Sequence, residues 1–283
     1  MFGDSWKLIK TSVLAFIEDD ALSRGAAIAF YTVTSIAPVL LIVVAIAGLA
    51  FGREAAQNAV IDQLSGLMGN QAAEVLQSAL KSAADTSAGT VATLVGVATL
   101  IVTASGVFGE MQAALNAIWK VKPKETSVSR LVQARAASLG LVGTLGFLLM
   151  ISLVVSAGLE AFGNYLDAML PFGKLIMSAL NVIVSTALIA VLFAAIYKVL
   201  PDRPLQWRDV LVGAVATAIL FTIGKSLIGW YLGSSAVASS YGAAGGLIVL
   251  LLWIYYSVQT FLLGAEFTKA FANRLGSKQE RPV

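Results

Sequence analysis

The stretch 175–197, LIMSALNVIVSTALIAVLFAAIY, runs from just after Lys174 to just before Lys198 without a single charge. At 1.5 Å per helical residue it reaches about 34 Å, enough to cross a hydrocarbon layer of roughly 30 Å. Its apolar residues are continuous around the helix rather than gathered on one face, so nothing in it asks for water. Five further stretches are similarly apolar, with only three charged residues among them: 25–51, 89–108, 139–162, 210–232 and 245–267. Backbone amides in lipid must be satisfied within the segment, so each is expected to be a helix. The fold class that follows is all-α, a polytopic membrane bundle of six spans forming one membrane domain over 1–283.

Composition agrees. Only 12% of the 283 residues are charged and 58% are hydrophobic, and the mean hydropathy is +0.84. A soluble domain carries roughly 25% charged residues, so the excess apolar surface needs lipid as its solvent. Cysteine and histidine are both absent. That removes disulfides, thiolate nucleophiles, Cys/His metal sites and imidazole catalysis together, and the expectation is no metal, no cofactor and no enzyme activity. The net charge of +3 is small and its lysines and arginines are dispersed, which gives no patch for a nucleic-acid partner.

Orientation follows from where those cations lie. Lys7, Lys10 and Arg24 precede the first span, and Lys120, Lys122, Lys124, Arg130 and Arg135 separate the second from the third. Lys198, Arg203 and Arg208 separate the fourth from the fifth, and Lys269, Arg274, Lys278 and Arg281 follow the sixth. Only Arg53, Lys81 and Lys174 fall on the other side, and Lys225 lies within a span. The positive-inside rule then puts both termini in the cytoplasm. Met1 to Arg24 is too polar for a signal peptide, and the first span reads as uncleaved.

Three segments outside the spans carry helical apolar spacing. Residues 4–20 place Leu8, Ile9, Val13, Phe16 and Ile17 beside Lys7 and Lys10, which reads as an interfacial anchor. The external segment 53–88 predicts two short amphipathic helices that either cap a cavity or rest on the bundle. Residues 110–120 repeat the pattern with Met111, Leu115, Ile118 and Trp119, again expected to anchor at the headgroups.

Charges inside hydrocarbon cost at least ~2.5 kcal/mol on insertion scales, so Glu160, Lys225 and Glu266 each ask for a reason. Lys225, about 22 Å beyond Val210 along its helix, shares a face with Ala218, Thr222, Gly229 and Gly233. It is a candidate to bind an anionic group of a substrate or lipid; otherwise it snorkels to headgroups or pairs with Glu160. Glu266 shares a face with Tyr255 and Gln259 and is either a gating or proton-coupling group or a helix-end carboxylate paired with a basic loop residue. Tyr31, Thr34, Ser35 and Pro38 form a polar strip in the first span, where Pro38 is expected to free the Thr34 carbonyl and bend the helix. Such a strip either lines a transport path or ties helices together. The Gly/Ala/Ser segment 233–246, with Tyr241, predicts a re-entrant turn or a compact hairpin.

The second half holds Tyr197-Lys-Val-Leu-Pro-Asp-Arg-Pro, Trp207-Arg-Asp-Val, Gly213-Ala, Gly224-Lys, Trp230-Tyr-Leu, Ser240-Tyr-Gly-Ala-Ala-Gly-Gly, Leu251-Leu-Trp-Ile-Tyr-Tyr and Gly264-Ala-Glu-Phe-Thr. With Ala26-Ala-Ile-Ala-Phe-Tyr-Thr in the first span, this order of motifs resembles the YihY/BrkB family of bacterial inner-membrane proteins, over roughly residues 10–275. The resemblance implies six helices, a bacterial cytoplasmic membrane location, and a link in some members to serum resistance. It implies a candidate transporter or exporter of a small solute or envelope lipid; the alternative is a non-transporting envelope scaffold. The ribonuclease label the family has carried is rejected here, because a metal-dependent nuclease needs a cluster of His or carboxylate ligands and this chain scatters its acids. Expected partners are the bilayer and an unknown small solute or lipid, and a homo-oligomer stays open.

Overall fold

The computed structural model describes residues 2–84, 106–121, 151, 155, 158, 173–234, 241 and 244–277. Every regular element among them is a helix, with α1 at Phe2–Glu18, α2 at Ala21–Phe51, α3 at Arg53–Met68 and α4 at Asn70–Ala84. After these come α5 at 106–118, α6 at Gly173–Val199, α7 at Trp207–Ser234 and α8 at Gly245–Arg274. Three of them, Ile176–Val199, Trp207–Leu232 and Gly245–Arg274, are long and apolar enough to cross a membrane, and α2 makes a fourth if its two bent halves count as one span. This is a helical membrane protein. The expected second and third spans, Glu160 and most of 233–246 lie outside the described residues.

Lipid-facing surface explains why so much apolar side chain stays open. Ile183, Ile223, Leu227 and Trp230 of α6 and α7 are exposed, whereas the faces these helices turn to one another are closed by Phe193, Tyr197, Val210, Ala214 and Ala218. Without a hydrophobic drive between helices in lipid, close approach and hydrogen bonds must hold the bundle. Glycines at the α7–α8 contact supply the approach. A Cβ on Gly213 would strike the Thr268 hydroxyl, one on Gly224 the Tyr256 hydroxyl, and one on Gly264 both the Thr217 and the Tyr197 hydroxyls. The Tyr197 hydroxyl, fully buried, donates to the Phe261 carbonyl at 2.7 Å and lies 3.2 Å from Thr217 Oγ1. Its ring packs in a near-parallel trio with Phe193 and Phe261, centroids 6.1 and 5.4 Å away and 6.3 Å from each other. A second cross-helix bond joins Thr186 and Thr222 at 3.2 Å.

Helix α2 bends by 48° between 21–36 and 39–49, at the position the proline predicts. Three hydroxyls before the bend turn back on their own helix: Thr32 to the Ile28 carbonyl at 2.8 Å, Thr34 to Tyr31 at 2.9 Å and Ser35 to Tyr31 at 2.7 Å. Such back-bonding itself favours bending. The bonds of these Thr and Ser hydroxyls are thus made within α2 itself.

The segment 53–84 forms the two expected helices, turned at Gly69, whose φ of 85° only glycine takes without cost. They pack against α2 and α8 through Ala56, Val60, Met68, Ala72, Leu76 and Leu80. Helix α5 departs from its expected role. Leu115, Ile118 and Trp119 are at most 3% exposed and belong to the main core, so this helix is a packed element of the bundle and not a headgroup anchor. Helix α1 divides its faces: Leu8 and Ser12 are buried in a helix that packs on α8, while Trp6, Ile9, Val13 and Ile17 are exposed.

Candidate functional site

The four cation-rich segments converge at one end of the bundle. Asp19, in the turn between α1 and α2, receives the Lys120 ammonium from the end of α5 and the Lys269 ammonium from α8 at 3.3 Å. Lys269 also meets Glu266, one turn back on its own helix, at 3.4 Å. Asp202, between α6 and α7, accepts from Asn116 at 2.8 Å and from Gln112 at 3.3 Å, and its own amide donates back to Asn116 at 2.9 Å. Asp209, buried in the first turn of α7, is held by the backbone amide of Ser277 at 3.2 Å and by that residue's hydroxyl. The segments before α2, at the end of α5, between α6 and α7, and after α8 thus form one layer.

Glu266 is the outlier of this layer. Its side chain is 0% exposed, its carboxyl meets Lys269 at 3.4 Å and lies against the Asp19 carboxyl, and its Oε1 has no hydrogen-bond partner among the described residues. Burying a carboxyl without full satisfaction is costly, and a single shared ammonium does not compensate two carboxyls. Burial works against the charge of Asp19, but the ammoniums of Lys120 and Lys269 outweigh it and hold that carboxyl below the ordinary 3.8. Two turns deeper on the same face of α8, the Gln259 amide donates to the Leu22 carbonyl at 3.3 Å, and its buried Oε1 is also unpartnered. It fits there because Gly25 has no Cβ, which would collide with the amide. Donation to a carbonyl fixes which end of the amide is nitrogen.

The sequence candidates therefore separate. Glu266 and Gln259 share one lane along α8 against the start of α2. Lys225 is half-buried on α7, and its ammonium has no hydrogen-bond or ion-pair partner among the described residues. Ser35 is buried and satisfied by its own helix, the Tyr31 ring lies against Gly106 of α5, Tyr241 is exposed in a turn, and Pro38 sits at the bend. No contact described here joins Lys225 or Tyr241 to the Glu266 lane. Among the described residues no three His, Cys, Asp or Glu side chains are placed to hold a metal ion. Asp19, Asn116, Lys120, Asp202 and Lys269 are the members that spacing alone misses, because their partners lie tens to hundreds of residues away. Only Lys269, three positions after Glu266, leaves a local signal.

Residues 13–282 match the family described as Virulence factor BrkB. The chain belongs to that family. Among BrkB relatives, a UPF0761 membrane protein of Rhodospirillum centenum is 27% identical over 94% of this chain and 57% of its own length. One from Mannheimia succiniciproducens is 27% identical over 89% of this chain and 85% of its own. A third, from Pasteurella multocida, is 33% identical over 63% of this chain and 54% of its own. The chain thus spans little more than half the length of two of these three BrkB relatives. No solved structure matches it.

Proposed function

We propose that this chain is a multi-pass transporter of the bacterial cytoplasmic membrane that exports a small anionic solute or an anionic envelope lipid, with six spans and the cation-rich end in the cytoplasm. The observation that carries the reading is Lys225. An ammonium on an apolar spanning helix, half-buried and without a partner among the described residues, is an expense that a passive scaffold does not need. On this reading a transient anionic ligand pairs with this ammonium. The bend in α2 and the incompletely satisfied lane of Gln259 and Glu266 give the same molecule an element that can change shape and groups that can gate it. On this reading the protein is neither a ribonuclease nor another enzyme, takes no nucleic acid, and any part it has in virulence or serum resistance follows from what it exports.

Reconstitution tests it. In liposomes with tail-labelled fluorescent phosphatidylglycerol, the wild type should carry label between leaflets, read as extra loss of fluorescence on adding dithionite outside. Lys225→Met should slow this about tenfold, as the loss of one charge-assisted contact predicts. If the wild type moves no lipid, the small-solute arm is read from metabolite accumulation in a deletion strain. Full complementation by Lys225→Met at normal expression would sink the assignment.

A further inference from the structure

We infer that the end of α5 is a bolt that holds the cation-rich end of the bundle shut, and that its release from Asp19 and Asp202 opens the Glu266 lane to solvent. Two observations carry this independently. The first is connectivity. Within five residues of one helix end, Asn116 holds Asp202 through two hydrogen bonds, the Trp119 carbonyl accepts from Arg203 at 3.2 Å, and Lys120 grips Asp19. Two turns from opposite ends of the sequence, one before α2 and one between α6 and α7, are fastened to the same short segment. Asp19 in turn holds Lys269, so α8 joins the fastening, and Glu266 lies immediately behind that ammonium.

The second observation is backbone strain. Among the described residues the non-glycine positions with positive φ are Asp20, at 54°, and Lys120, at 52°. They flank or form the same ion pair. Left-handed backbone is disfavoured for an ordinary L-residue, and glycine or asparagine is the usual occupant of such a helix end. At Lys120 the α5 helix closes with the Val121 amide on the Asn116 carbonyl at 2.8 Å and the Lys120 amide on Ala117 at 3.0 Å, a geometry that glycine meets freely. Glycine has no ammonium to offer Asp19. The strain is kept where the side chain is used.

The bolt is built to slide rather than to lock. Lys120 is 66% exposed at its side chain, and the Asp202 contacts are exposed, so water competes for each. Behind them Glu266 and Leu262, one turn apart on α8, are both 0% exposed, and Gln259 a turn further on is partly buried. Among the described residues the charged groups facing Glu266 are Asp19 from the α1–α2 turn and Lys269 from its own helix, with Lys120 of α5 reaching it through Asp19. Asp209 of α7 is occupied by Ser277. The inference rests on the transport reading only for what passes once the end is open.

The chain has no cysteine, which makes single reporters clean. Leu262→Cys and, separately, Gln259→Cys are labelled with a membrane-impermeant maleimide in inside-out vesicles, with Asn273→Cys as the exposed control. Lys120→Gly with Asp202→Asn should label either reporter about tenfold faster, the factor that losing charge-assisted hydrogen bonds corresponds to. Lys120→Arg should label like the wild type. The thermal midpoint of the double variant is read alongside, so that faster labelling at an unchanged midpoint is separated from unfolding; Lys120→Gly alone relieves the backbone and should not lower it. Unchanged labelling of both reporters in the double variant, with the control fully labelled, overturns the bolt. Because labelling needs no substrate, this result and the Lys225 flux result fail separately.

Discussion

Helix α2 and the α6–α8 block use the same hydroxyl residues to opposite ends. In α2, Thr32, Thr34 and Ser35 spend their hydroxyls on carbonyls one turn back in their own helix. In the block, Thr217 does the same with Gly213 at 2.7 Å, yet its oxygen also lies against the Tyr197 hydroxyl and fills the notch at Gly264. The difference is the neighbour: where the facing helix carries a glycine, a hydroxyl reaches across without losing its local bond. One part of the bundle is thereby stapled, while the other, already bent by 48°, is left to flex.

That contrast can be broken or sharpened by three substitutions, each read as thermal midpoint and monodisperse fraction in mild detergent. Gly264→Leu should do the most damage, since the new side chain would occupy space held by the Thr217 and Tyr197 hydroxyls. Overpacking of this kind costs about 1–3 kcal/mol or more, and a large loss of folded protein is expected. Tyr197→Phe keeps the ring stack and removes the hydrogen bond to Phe261, for about 1 kcal/mol. A cost near zero would mean that stacking alone holds the block. Ser35→Ala should change stability by less than about 0.5 kcal/mol despite the burial of that residue, because its hydroxyl only doubles a bond within its own helix. A drop as large as that for Tyr197→Phe would show that α2 is tied in after all.

Much of the fold was legible because lipid imposes a length rule. The apolar stretches 175–197, 210–232 and 245–267 became α6, α7 and α8, each longer than its apolar run because polar ends continue the helix beyond the hydrocarbon. Pro38 announced its bend for a purely local reason, a missing amide hydrogen. Residues 53–84 likewise gave two amphipathic helices, since periodicity and Gly69 are both local. Trp119 misled, because a tryptophan beside lysines suits a membrane interface equally well whether or not other helices cover it; three-dimensional packing put it in the core. The site was legible only in part. A lone Glu266 in an apolar run is conspicuous, and so is Lys225, but nothing in the spelling of Asp19 or Lys120 shows that they meet. Their pairing is set by how α5 lies between two turns, a matter of tertiary geometry that charge counting reaches only as far as the side of the membrane.

Helix α8 is 30 residues long, about 45 Å, against a hydrocarbon layer of roughly 30 Å. It packs on α1, α2, α4 and α7, and it carries both Glu266 and the Gly264 notch. A rod that overshoots the bilayer and leans on so many neighbours behaves as a mast does under its stays: a small tilt at one end is delivered, nearly rigidly, to the other. A displacement of α8 at its contact with α4 is thus mechanically within reach of Asp19.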